Sequence, residues 1–411
     1  MAAAGRSGAG IAPLTGASRR SATTAPRVLL VEVNEDGTVG GSHRGLVDLA
    51  LGLDRRAFEP VVLFYQHNRH VDALRAAGLE VVIWDEVRAF ERGVRASGSR
   101  VARWTDAARA IGRRRRVLRE LRIALLHMNN SLAVGYDDWL PAAKSLGIPS
   151  VTFAMGDAEL PERRARWAAP FWDHVIAISD YMRRAVLDSG VAPDRVSLAY
   201  LGVDPAVLMA AATTPRAAIR RSLDVPDDEV LVVMVGNIRD WKGQHVLVEA
   251  LSLVPEAVRS RLHVRFIGAA TEADRAYVAR VEATIERHGL AGQVRLVGPS
   301  SDVASVLAAA DIAVHASTMA EPFGLVVPEA MALGIPVIAS RFGGPGEVVT
   351  PGCGRLHDPA APAELAAALT ELGVSPGLRR ELGDEARRRV GEFSVDAMVA
   401  GVRGVYTRLL V

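Results

Sequence analysis

The chain has one cysteine in 411 residues, Cys353, so no internal disulfide can staple the fold, and so low a thiol count fits a reducing cytoplasm. Nor does any stretch approach the ~20 consecutive apolar residues of a membrane-spanning helix, which makes a bilayer span unexpected. Lysine is nearly missing: of 49 basic residues only Lys144 and Lys242 are lysines. Wherever a cation merely solubilises, this chain uses arginine, so Lys242 calls for a specific explanation, although Lys144 shows that exceptions occur. Residues 1–26 contain no acid, and Pro13 breaks their one apolar cluster, Ile11 to Leu14, which excludes a signal-peptide core. An organellar transit peptide shares that composition, but a disordered leader or an upstream start codon is the plainer expectation. No aromatic residues interleave with the basic run Arg113 to Arg116, which argues against a nucleic-acid partner.

What is present describes an ordinary globular protein, 49% apolar and 23% charged. A chain of this length outgrows a single hydrophobic core, so two domains are expected. The net charge of +2 conceals a division: residues 1–200 hold 28 Lys and Arg against 22 Asp and Glu, the remainder 21 against 25. A basic first half admits peripheral contact with an anionic membrane, at its inner face for a cytoplasmic protein. Arg113 to Arg116 lie in a helical stretch and point around it, which suits a solvated face or contact with anionic lipid or a charged acceptor.

From Arg27 onward, continuous apolar runs alternate with helical segments, at 28–33, 60–65, 80–84, 123–128, 151–154 and 175–179. Runs without polar alternation are those of parallel strands covered on both faces, so this half reads as a doubly wound α/β domain. Gly40 and Gly41 follow the first run and precede an amphipathic helix; such a pair is either a turn or a place of close phosphate approach. His127 ends a strand, where open α/β sheets put their ligands, though a lone histidine is more often structural. Asp137 and Asp138 lack flanking ligands, and no metal site is expected there. A polar, proline-bearing stretch then leads to V-L-V-V-M-V-G at 230–236, which opens a second α/β domain with further strands at 263–267 and 294–297. Asp302, after the loop from Gly298, is placed to cap a helix.

Two loops of the second half carry chemistry. The segment N-I-R-D-W-K-G at 237–243 joins a strand to a helix start, and an arginine there is electrostatically unfavourable unless an anion is near, so Arg239 and Lys242 read as phosphate ligands. The second loop lies in H-A-S-T-M-A-E-P-F-G-L-V-V-P-E-A-M-A-L-G, residues 315–334. An apolar strand, Ile312 to Ala316, runs into a loop holding Glu321, and Gly324 opens a helix that carries Glu329 about one turn in. Pro328 fits because the first turn of a helix lacks intrahelical acceptors for its amides. Free N–H groups near Gly324 and Leu325 make an anion site between two carboxylates. A phosphate flanked by hydroxyl groups matches that layout, as in a nucleotide sugar. The blander reading is a buried strand-turn-helix unit whose glutamates are solvated or cap the helix.

The run E-P-F-G-L-V-V-P-E-A-M-A-L-G, followed by I-P-V-I-A-S and by Gly343, Gly344 and Glu347, closely resembles the signature of the family 4 retaining glycosyltransferases of the GT-B fold. Segment 172–204 resembles the same family, and Lys242 matches the lysine of its G-R-L-x-x-x-K-G loop. Asn237 stands at the arginine position of that loop, so Arg239 is expected to supply the charge. The resemblance implies an α/β GT-B architecture of two Rossmann-like, doubly wound domains facing across a cleft. Its expected parts are a leader at 1–26, an acceptor-side domain at 27–204, a linker at 205–229, a nucleotide-sugar domain at 230–392 and a terminal helix at 393–411 that crosses back.

It further implies transfer of a hexose, with retention, from a nucleoside diphosphate sugar to a hydroxyl of a sugar, glycan or lipid-linked acceptor, in polysaccharide or glycoconjugate synthesis. In that scheme Lys242, Arg239 and the amides near Gly324 and Leu325 stabilise the departing diphosphate, and Glu321 orients the hexose. Glu329 holds the ribose, Gly40 and Gly41 face the diphosphate, and the backbone at Gly298 meets the base. No cofactor or metal is expected, because cations and a helix end can neutralise the diphosphate. His127 and Asn129 fall on the acceptor side, but Asn129 replaces the second histidine of the family's H-x-H, and Met155 replaces a further histidine before Gly156. That departure keeps a second reading open, a nucleotide-sugar-binding protein without transferase activity. A dinucleotide-dependent oxidoreductase is disfavoured, since G-T-V-G-G-S after the first strand lacks the G-x-G-x-x-G spacing.

Overall fold

A computed structural model of the chain describes residues 24–33, 40–84, 100–130, 139–156 and 169–411. Among these residues, β1 (Arg27–Glu32), β2 (Glu59–Phe64), β3 (Glu80–Ile83), β4 (Ile123–Asn129), β5 (Ser150–Ala154), β6 (His174–Ala177) and β7 (Val196–Leu198) form a seven-stranded sheet in the order β3-β2-β1-β4-β5-β6-β7. A six-stranded sheet follows, of β8 (Val230–Val235), β9 (Leu262–Ile267), β10 (Val294–Gly298), β11 (Ile312–His315), β12 (Val337–Ser340) and β13 (Gly354–His357), in the order β10-β9-β8-β11-β12-β13. The pairings of β1 with β2 and β4, and of β8 with β9 and β11, are parallel. In β1, β2, β5 and β8 nearly every residue is buried, as strands covered on both faces require. The short β7 and β13 have no counterpart among the runs read from the sequence.

Both sheets share one device. The first strand is central, the next two extend the sheet to one side, and the fourth begins the other side. The order therefore reverses between β1 and β4, and again between β8 and β11. At such reversals the connections leave in opposite directions and open a crevice beyond the carboxyl ends of the strands.

Contacts divide the chain into two compact units, one of the described residues within 1–153, 163–175 and 403–411, the other of those within 154–162 and 176–402. In the first, helix Gly41–Gly52 follows β1 and buries Leu46, Leu49 and Ala50. Arg114 was read as part of a run pointing around its helix; its side chain is buried, with the guanidinium 5.5 Å from the ring centroid of Trp84 and 5.7 Å from that of Trp139. Arg116 remains exposed. The tetrad is thus split between core and surface rather than gathered into a basic patch.

In the second unit, Val232, Met234, Leu247, Leu251, Val264, Phe266 and Val314 belong to one apolar core. Helix starts are fixed by side chains: Asp204 caps helix Pro205–Ala211, and Asp302 accepts the Ser305 amide at 3.1 Å to cap helix Val303–Ala309. No helix among the described residues is long and apolar enough to cross a membrane.

Candidate active site

The loops leaving β8 and β11 meet at the reversal of the six-stranded sheet. After β8 the chain turns through Asp240–Lys242 into helix Gln244–Leu253, with Gly243 at φ +78° between them. A Cβ at Gly243 would lie 2.0 Å from the carbonyl oxygen of Ala316, so the close approach of the two loops needs glycine on both conformational and steric grounds. The Thr318 amide donates to the Trp241 carbonyl at 2.8 Å, tying the loop after β11 to the loop after β8. A third segment joins them: the Gly344 amide donates to the Glu321 carbonyl at 2.9 Å, and Gly343 at φ +76° has no room for a Cβ, which would stand 2.2 Å from that oxygen. The spacing from Glu321 to the glycine pair is thereby explained by backbone packing.

This framework brings Lys242 and Glu321 together. Lys242 Nζ donates to Glu321 Oε1 at 2.8 Å and Oε2 at 2.9 Å, and the ammonium lies 4.2 Å from the ring centroid of Trp241. Their side chains are 16% and 14% exposed, so the pair is mostly buried yet reachable. Two further groups were passed over in the sequence. His315 Nε2 is 2.7 Å from Glu321 Oε2, and Ser317 Oγ donates to the same oxygen at 2.9 Å. Burial is the largest single influence on the Glu321 carboxyl and pushes its pKa up, but the charges and hydrogen bonds of His315 and Lys242 outweigh it and hold the group well below its ordinary value. Glu321 is therefore a fixed carboxylate. The signal for His315 was its place as the last residue of β11, two positions before a serine and six before the acid.

The other expected residues fall as follows. Arg239 is not in that cluster; its Nε lies 3.8 Å from Asp274 Oδ2, and its side chain is 42% exposed. Asn237 instead contributes its carbonyl, which accepts from Gln244 Nε2 at 3.0 Å. Gly324 is buried at φ +76°, Leu325 precedes helix Val326–Ala332, and Glu329 sits within that helix, its amide donating to the Leu325 carbonyl at 3.1 Å. Gly298 ends β10 at φ +91° and its carbonyl accepts the Gly268 amide at 2.9 Å. Glu347 faces away from chemistry of this kind: its carboxylate accepts the amides of Asp180 at 2.8 Å and Tyr181 at 2.7 Å, at the start of helix Asp180–Asp188. A negative group at a helix N-terminus satisfies unpaired amides and complements the dipole.

In the first unit, Gly40 and Gly41 are exposed, and Gly40 precedes helix Gly41–Gly52. His127 and Asn129 are 1% and 0% exposed. His127 Nδ1 is hydrogen-bonded to the hydroxyl of Tyr406, and its ring packs edge-on against Phe153 and Tyr406; burial lowers its pKa to about 3. The Asn129 amide donates to Glu32 on the neighbouring strand and to the Ser42 carbonyl at 2.9 Å. Both residues tie β4 to its surroundings. Asp137 and Asp138 lie outside the described residues.

Two family patterns match the chain, Glycosyl transferases group 1 over residues 215–389 and Glycosyltransferase Family 4 over residues 39–207. A relative from Thermomonospora curvata bearing the name D-inositol 3-phosphate glycosyltransferase is 34% identical over 245 residues, 57% of this chain and 57% of that relative. One of the same name from Actinosynnema mirum is 30% identical over 297 residues, 66% of this chain and 69% of its own length. The match therefore spans little more than half of the Thermomonospora protein. Among solved structures, the Anabaena protein Alr3699/HepE in complex with UDP-glucose superposes with a TM-score of 0.74 at 23% identity, covering 93% of this chain and 99% of that one. The two parallel doubly wound sheets are those of a GT-B protein. The chain belongs to the family 4 glycosyltransferases.

Proposed function

We propose that the protein transfers a hexose from a nucleoside diphosphate sugar to a hydroxyl acceptor with retention at the anomeric carbon. The reading rests chiefly on one observation, the Lys242–Glu321 pair at the order reversal between β8 and β11. The difficult step is departure of a diphosphate from an oxocarbenium-like carbon, so catalysis consists mainly of stabilising charge on the leaving group. Lys242 would turn from Glu321 to the diphosphate, with Arg239 and the amides near Gly324 and Leu325 assisting. Glu321 would orient the hexose and Glu329 the ribose. No step in this scheme calls on a metal ion.

A thermal-shift screen of UDP-, GDP-, ADP- and dTDP-sugars, followed by assays of hydrolysis and transfer, tests the proposal. UDP-glucose is the first donor to try, since the Anabaena neighbour was solved with it, and D-inositol 3-phosphate the first acceptor, since the relatives bear its name. Stabilisation by at least one donor, with turnover lost in Lys242→Ala, is expected. Binding without hydrolysis or transfer to any acceptor would favour a nucleotide-sugar-binding protein, a reading to which the burial of His127 and Asn129 lends some weight.

A further inference from the structure

Glu321 Oε2 has three donors around it: Lys242 Nζ at 2.9 Å, Ser317 Oγ at 2.9 Å and His315 Nε2 at 2.7 Å. A carboxylate held this far below its ordinary pKa only accepts hydrogen bonds, so His315 Nε2 carries the hydrogen. The three donors differ in kind. Lys242 is a flexible chain from a turn, whereas His315 closes β11, is 4% exposed, and has its backbone carbonyl 3.3 Å from Nε2 of His357 on β13. If Lys242 is to meet a diphosphate it must leave Glu321, and a mostly buried carboxylate stripped of its cation would pull it back.

We propose that His315 is a positioning residue that keeps Glu321 partnered and in place when Lys242 is drawn away, so that the lysine is free to bind the donor diphosphate. This rests on the functional reading above and assigns a role to a residue outside its expected set. Ser317 alone is a single hydroxyl donor and does not satisfy a mostly buried carboxylate once the lysine has left. His315 supplies a second, rigid donor to the same oxygen, and lowers the cost of exchanging Lys242 between carboxylate and phosphate.

The discriminating experiment is calorimetric titration with whichever of UDP, GDP, ADP and dTDP the wild type binds tightest, using the full chain and the variants His315→Leu, His315→Gln and His315→Leu/Glu321→Gln. Loss of a hydrogen bond to a charged group corresponds to about a tenfold change. His315→Leu should weaken the diphosphate by about tenfold or more, because Glu321 then holds Lys242. The double variant should recover most of that loss, since no carboxylate remains to compete. His315→Gln, whose amide reaches to where Nε2 stands, should bind like the wild type. Failure of the double variant to recover would show that His315 only supports the fold, and unchanged affinity in His315→Leu would show that it has no role; either overturns the proposal. Melting temperatures of all variants separate unfolding from the effect sought. A wild type that binds none of the four diphosphates would defeat the functional reading itself, and this proposal with it.

Discussion

Glu321 and Glu329 are separated by seven residues in sequence but stand in different circumstances: the first is clasped by Lys242, Ser317 and His315, the second lies in the opening turn of helix Val326–Ala332. Their variants should fail differently. Glu329→Gln is expected to weaken a free nucleoside diphosphate by about tenfold, as loss of a charge-assisted contact to ribose would. Glu321→Gln is expected to lower single-turnover transfer without weakening that diphosphate, since Lys242 is released. Equal loss of diphosphate affinity in both would refute separate roles.

His127 offers a second test at this scale. Its pKa of about 3 in the fold lies below the ordinary 6.5, so between those values the unfolded chain takes up a proton that the native chain refuses. Stability is then full above pH 6.5 and declines as pH falls, by ~1.4 kcal/mol per pH unit for one such group. From pH 6.5 to 5 the wild type should lose about 2 kcal/mol more than His127→Gln. Hydrogen exchange of the β4 amides measures this, and parallel pH dependences would contradict it.

At the scale of elements, the site is made by three loops whose backbones touch. Gly243→Ala would force a Cβ to within 2.0 Å of the Ala316 carbonyl in a left-handed conformation, so the loops must separate. Donor affinity should drop by about tenfold or more while the melting temperature moves by only a few degrees, since one displaced turn at the edge of the core leaves most of its packing in place. Normal affinity in a folded variant would show that loop contact does not set Lys242. Much of this was legible beforehand. The strand runs, the helix that holds Glu329 and the cap at Asp302 all follow from local pattern. Burial of Arg114 between two tryptophans was not, because residues 84, 114 and 139 meet only in the folded chain. The partners of Glu347 escaped for the same reason, being a contact between distant segments, whereas the clasp of His315 lies within one stretch and escaped because a loop has no periodicity to say which side chains turn toward each other.

For the whole molecule, two sheets with the same central reversal place loops at the carboxyl ends of β1 and β4 and of β8 and β11, and the second pair carries the charged cluster. Among the described residues no three His, Cys, Asp or Glu side chains gather as metal ligands would. Transfer is expected to proceed undiminished in EDTA, with cations of the chain bearing the leaving group's charge; loss in EDTA with recovery on adding Mg²⁺ or Mn²⁺ would contradict that. The most direct test of the account is proton NMR of the anomeric signal in the first product formed, with wild type and Lys242→Ala in parallel, on the donor and acceptor that the screen identifies. The account predicts the donor's own anomeric configuration in the product, and a rate lower by about 10²-fold or more without the lysine. An inverted product, or full activity in Lys242→Ala, would contradict it.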